Sequence, residues 1–182
     1  MPWLEEDRRD LAAERILDAA AELFRTDGVT ATGMADVAAA AGCSRATLYR
    51  YFENRQVLRT AFVHREARRI GALVTVEVAG IEDPEEQVTE AALAAVRLVR
   101  ADPTLAAWFG RDDAGLASEL AHSSEVIAAI GAAFLGDDQA ARWLVRVIVS
   151  LLAVPGRDGD DERALLRRFV APVLAGYRSP SA

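Results

Sequence analysis

Apolar side chains recur along this chain every three to four positions, which is the period of a helix and not of a strand. Between about Leu11 and Thr26 they fall at Ile16, Ala20, Leu23 and Phe24, a single stripe that Asp27-Gly28 ends. Two short helices are predicted next, from about Gly33 to Ala41 and from Arg45 to about Phe52. Asn54 suits the N-cap of a long fourth helix, with Val57, Leu58, Ala61, Phe62 and Ile70 on or near one face. The only alternation, V-T-V-E-V at 74–78, reads as a continuation of that helix.

Gly80 to Pro84 breaks the pattern, and Pro84 suits the first turn of a helix reaching about Arg100. Asp102-Pro103 opens a short helix ending at Phe109-Gly110, and a longer or broken one follows from about Asp112 to Leu135. Asp137 and Asp138 place acids at the positive end of the next helix, which runs to about Val154. The run P-G-R-D-G-D-D at 155–161 is a loop, and a last helix extends from about Asp161 to Tyr177, with Pro172 as a kink or early stop. The expectation is an all-α chain of about nine helices.

Within this frame one stretch carries chemistry. Val37 to Phe52 reads V-A-A-A-A-G-C-S-R-A-T-L-Y-R-Y-F. The small Ala38 allows two helices to approach closely, and Gly42 suits a left-handed turn position. Ser44 is placed to cap the following helix by accepting from the backbone N–H of Ala46 or Thr47. These features specify a helix-turn-helix, a motif whose second helix enters the DNA major groove.

Charge first argues against that reading. The 182 residues carry a formal net charge of −7. Its distribution removes the objection: residues 25–69 hold eight arginines against four acids, while residues 70–182 hold ten against seventeen. Phosphate attraction is a local field, so the positive segment matters more than the total. All the basic residues are arginine.

Positions 28–58, G-V-T-A-T-G-M-A-D-V-A-A-A-A-G-C-S-R-A-T-L-Y-R-Y-F-E-N-R-Q-V-L, resemble the TetR family of bacterial transcriptional regulators. The resemblance is specific over roughly residues 11–60. Farther on it rests on the helix count and on W-L-V-R-V-I-V-S-L-L-A-V-P-G at 143–156, which resembles the family's penultimate, dimerising helix. It implies an N-terminal three-helix DNA-binding domain, here residues 1–53. A larger helical effector-binding and dimerisation domain, here 54–182, would follow. Members are mostly repressors released from operators by small molecules.

Carried onto this sequence, the resemblance turns Arg45, Ala46, Thr47 and Arg50 toward base edges and gives Tyr49 and Tyr51 phosphate contacts. Thr32 and Arg55 become backbone anchors, and Ser44 lies at the same surface. Arginine can donate bidentately to guanine, and threonine can touch a thymine methyl. Gly33 stands where the family often has a polar side chain, and Cys43 where a branched apolar residue is usual.

The C-terminal part suggests a second copy of the chain. Residues 143–154 are apolar on nearly every side, interrupted by Arg146 and Ser150, and such a helix needs cover all round. Leu144, Val147, Ile148 and Leu151, with Leu166, Phe169, Val170 and Val173 on the last helix, form the expected seam of a two-fold homodimer. A dimer would set two reading helices about one DNA turn apart, or a multiple of it. The resemblance alone implies an effector pocket. Phe62, Trp108, Phe109, Phe134 and Trp143 are its candidate walls, with His122, His64 and Arg142 as polar contacts.

Other classes are less well served. No paired carboxylates, Ser–His–Asp spacing or Gly-rich phosphate loop points to an enzyme. One cysteine and two histidines make no zinc-spaced cluster, so neither a metal nor a cofactor is expected. No apolar run is long enough to span a bilayer, and the acidic start M-P-W-L-E-E-D is unlike a secretory signal. The expected partners are double-stranded DNA, a second copy of the chain and a small-molecule effector, met in the cytoplasm. An interaction module or an activator without ligand control is the alternative.

Overall fold

A computed structural model describes residues 2–109 and 125–177, with side chains described over 9–109 and 126–177. Among the described residues there are ten α-helices and no strand. They are α1 (Pro2–Asp27), α2 (Met34–Ala40), α3 (Arg45–Tyr51), α4 (Arg55–Val78) and α5 (Pro84–Ala101), then α6 (Pro103–Ala106), α7 (Glu125–Leu135), α8 (Asp138–Ala153), α9 (Gly159–Phe169) and α10 (Ala171–Ala175). A 3-10 turn, Ala107–Phe109, follows α6.

The tenth helix comes from Pro172. With no N–H to donate, proline cannot continue α9, which closes with Val170 N–H on the Leu166 carbonyl at 3.0 Å. Pro172 then stands in the first turn of α10, where a missing N–H costs nothing. The alternating run at 74–78 is helical, as expected: Val74 and Val78, four apart, are buried and Val76 faces out. At the other end, α1 begins nine residues before the expected Leu11.

The chain forms two compact units, residues 1–63 and 64–182. In the first, Ile16, Leu17, Ala20 and Phe24 bury one face of α1 against α2, and Leu58 and Phe62 of α4 complete the core. Phe24 and Phe62 meet edge to face, with centroids 5.3 Å apart. Such a pair adds about 0.5–1.5 kcal/mol beyond its buried area. This packing places the first two turns of α4 in the first unit, so the units part ten residues beyond the expected boundary after position 53.

In the second unit α5 packs against α8, α9 and α10. Val88 and Ala92, Leu135, Leu144, Leu166 and Leu174 are central to its core. Around that core run ion pairs from α5 to α9, among them Arg163 with Glu90 and Arg167 with Glu86. Being half exposed, they contribute little each.

One pair differs. Glu162 is 3% exposed and accepts from both terminal nitrogens of Arg100, at 2.9 and 2.7 Å. It also accepts from Gly156 N–H at 2.9 Å, while Arg100 donates to the Leu151 carbonyl at 2.8 Å. One carboxylate thus ties the ends of α5 and α8 and the loop before α9. Among the described residues, no helix is long and apolar enough to cross a membrane.

The Arg100 hydrogen bonds hold the Glu162 carboxyl below its ordinary value of 4.5, against the opposing effect of burial. A depressed carboxylate stabilises the fold above its unfolded value, and that contribution disappears as pH falls through the folded value. Glu162→Gln should therefore cost about 1–3 kcal/mol at neutral pH in urea unfolding. The gap from the parent should narrow below about pH 4. A gap of the same size in acid would show that charge is not what matters there.

Candidate nucleic-acid interface

The turn between α2 and α3 is built from local rules. Gly42 takes φ +67°, the left-handed conformation, and a side chain there would strain the backbone. Cys43 N–H returns to the Ala38 carbonyl at 3.0 Å and Gly42 N–H to that of Ala39 at 3.1 Å, closing the end of α2. Ala38 is buried at the crossing, as its size allows. Ser44, extended at φ −72° and ψ 153°, caps α3: its Oγ accepts from Thr47 N–H at 3.0 Å and lies 2.9 Å from the Thr47 hydroxyl.

Burial then sorts the faces of α3. Leu48 is 0% exposed, and Phe52 just after the helix is buried beside it. Ser44, Arg45, Ala46, Tyr49 and Arg50 are exposed, with Thr47 and Tyr51 half-buried. Arg45 and Tyr49 are four apart, as are Ala46 and Arg50, so the exposed residues form one continuous strip. The Arg50 guanidinium lies 5.5 Å from the centre of the Tyr51 ring, a cation–π contact on an exposed side chain.

The arginines that made this segment positive have divided tasks. Arg25 pairs with Glu22, Arg65 with Glu66, and Arg69 with Glu66 and Asp102. Arg55 donates to the Thr30 carbonyl at 3.1 Å, and Arg59 to that of Val29. Among the described residues Arg45 has no ion pair or hydrogen bond. The charge available on the exposed strip of α3 is thus that of Arg45 and Arg50.

Two expected anchors look different in three dimensions. Thr32 is 3% exposed, and both its N–H and its hydroxyl donate to the Gly28 carbonyl, at 3.3 and 2.8 Å. It fastens the α1–α2 turn from inside and offers no donor outward. Arg55 is exposed, but one of its nitrogens holds the same turn. At Gly33 the N–H of the α2 N-cap donates to Asp36 Oδ2 at 3.2 Å, and a Cβ would come within 2.9 Å of that oxygen. The residue missed by sequence reasoning is Arg59, 7% exposed. Its signal was a charge flanked by Leu58 and Phe62 on the apolar face of α4.

The remaining expectations scatter. Phe62 is core of the first unit, packed edge to face on Phe24. Trp143 is 39% exposed, Trp108 is buried, Phe109 is half-buried and Phe134 packs onto the second core. His122 lies outside the described residues. His64 is half-buried with no partner at Nε2 among them, and burial, helped by the Arg68 charge, lowers its pKa below the ordinary imidazole value. Of the expected seam, Leu144, Leu166 and Val170 are already covered by their own chain. Val147, Ile148 and Leu151 are half-buried, and Phe169 and Val173 are 58% and 54% exposed.

Residues 16–62 match the family model described as bacterial regulatory proteins, tetR family. A helix-turn-helix-type transcriptional regulator of Mycobacterium tuberculosis, itself uncharacterised, is 48% identical over 181 residues, covering 94% of this chain and 90% of that protein. The chain belongs to the TetR family. Its match ends at Phe62, one residue before the first compact unit does. Solved structures share the fold over nearly the whole chain. AlkX from Dietzia, a repressor implicated in n-alkane biodegradation, has a TM-score of 0.63 at 24% identity, covering 90% of this chain and 95% of its own. QsdR, a repressor of R. erythropolis, reaches 0.68 at 21% (95% and 98% covered). RolR, solved with resorcinol, reaches 0.68 at 18% (97% and 98%).

Because α3 is so short, its cap should weigh heavily. Ser44→Ala should lower stability by about 1 kcal/mol in denaturant unfolding. Unchanged stability would mean that the Thr47 N–H finds another acceptor.

Proposed function

We propose that this TetR-family regulator is a homodimeric repressor that reads a two-fold symmetric operator through α3 and leaves it on binding a small molecule. The observation that carries the reading is the exposed strip of α3, with Arg45 unpaired beside Arg50 and Tyr49 on a capped helix anchored by Leu48. Arg45 and Arg50 each read a guanine, Thr47 touches a thymine methyl, and Tyr49 and Tyr51 meet phosphate. Arg55 has donors to spare for a phosphate while holding Thr30.

The dimer reading rests on Trp143, Leu165, Phe169 and Val173, large apolar side chains left exposed on α8 to α10. Contiguous exposed apolar surface marks an association site. Val147, Ile148 and Leu151 of α8 complete it, whereas Leu144, Leu166 and Val170 support it from within. The effector reading rests on likeness of fold to RolR, which was solved with resorcinol. Trp108, Phe109 and His64 are the residues of this chain suited to a small, mostly apolar ligand. Release requires that the ligand favour a state whose half-site spacing no longer fits DNA. Such a protein acts where the DNA is, in the cytoplasm.

Selection of bound sequences from a random duplex pool tests the reading most directly. A palindromic site should emerge, and a pool that never enriches would sink DNA reading altogether. On the selected duplex, Arg45→Ala or Arg50→Ala should relax preference at one base position and cost about 1–3 kcal/mol. A loss spread evenly over all positions would reassign the arginine to phosphate. Phe169→Asp, at a site too exposed to unfold the monomer, should shift the protein to monomer in sedimentation. A variant that stays dimeric places the seam elsewhere.

A further inference from the structure

The loop from Gly28 to Gly33 that enters α2 makes no regular secondary structure, yet its three leading carbonyls are all occupied. Gly28 O accepts from Thr32 N–H and hydroxyl, Val29 O from Arg59, and Thr30 O from Arg55. Arg55 and Arg59 are one turn apart on α4, so they grip consecutive peptide units from one helix face. Three residues after Thr30, Gly33 caps α2, and α2 carries the turn that presents α3.

We infer that Arg59 is a positioning residue for DNA reading: it never touches DNA, but its grip on the Val29 carbonyl fixes the α1–α2 loop to α4 and so sets how α2 and α3 are presented. The inference rests on the DNA-reading function proposed above. Hydrophobic contacts alone would leave the loop free to slide along α4, because apolar packing is non-directional. A guanidinium donating to one carbonyl fixes both distance and direction. Burial strengthens the grip, since Arg59 is 7% exposed and Val29 0%. Arg55 repeats the contact at the surface, where its other donors remain available. The pair thus separates two tasks that look alike in sequence: Arg59 positions, and Arg55 positions and also meets the backbone of DNA.

The test compares Arg59→Met, Arg59→Lys and Arg55→Ala on the duplex recovered by selection, with affinity measured across a salt series well below each melting temperature. Arg59→Met should bind about tenfold more weakly or worse, the equivalent of losing one charge-assisted hydrogen bond. Its salt dependence should match the parent's. Arg59→Lys should recover part of the loss. Arg55→Ala should instead flatten the salt dependence by about 0.9 in log–log slope, one phosphate contact. A core lesion at Ile16, Ile16→Val or Ile16→Ala, whichever lies nearer Arg59→Met in measured melting temperature, should bind like the parent, because simple destabilisation does not change presentation. Parental affinity in Arg59→Met, a flattened salt slope in it, or an equal loss in the core control would each overturn the inference. Failure of the parent to bind any selected duplex would instead overturn the DNA-reading function itself.

Discussion

Everything that α3 offers depends on the burial of Leu48. A helix of seven residues closes too few hydrogen bonds to persist in water, so α3 exists only where something outside it supplies the missing free energy. Leu48 is its one fully buried side chain, and Phe52 adds a second anchor just past its end. Ser44 satisfies a donor at the start. With the helix held from one side by so few residues, the rest of its surface faces outward. The requirement that makes α3 foldable is also what makes it available to a ligand as long and flat as a groove.

The charge distribution follows the same economy. A net charge of −7 over the whole chain opposes indiscriminate attraction to phosphate. The positive segment around α3 is subdivided again, because several of its arginines are engaged by Glu22, Glu66 and Asp102 or by carbonyls of the α1–α2 loop. What remains directed outward on α3 is concentrated in Arg45 and Arg50. Affinity in such an arrangement is weighted toward contacts with geometric requirements and away from a diffuse field.

Much of the fold was legible because its signals are local. The stripe of α1, the glycine at 42, the serine cap at 44 and the asparagine at 54, which accepts from Val57 N–H, each act within one or two turns. The same holds for the break at Pro172. The site was less legible. Thr32 has the right residue type at the right position for a phosphate contact, yet its hydroxyl turns inward to Gly28. Phe62 and Trp143 have the bulk of pocket residues, but one is committed to Phe24 and the other faces outward. Leu166 and Phe169 sit on the same helix only three residues apart, and the first is 1% exposed while the second is 58% exposed.

The sequence by itself determined that the fold is helical, that a helix-turn-helix lies at 37–52, and which residue types stand on its reading helix. Those depend on backbone preferences, capping and periodicity, all short-range and all written in neighbouring residues. Only the tertiary structure decided which of those side chains remain free. Burial is set by segments far apart in the chain, as when Arg59 meets a carbonyl thirty positions away. A side chain's chemistry is encoded where it stands, but its availability depends on what folds over it.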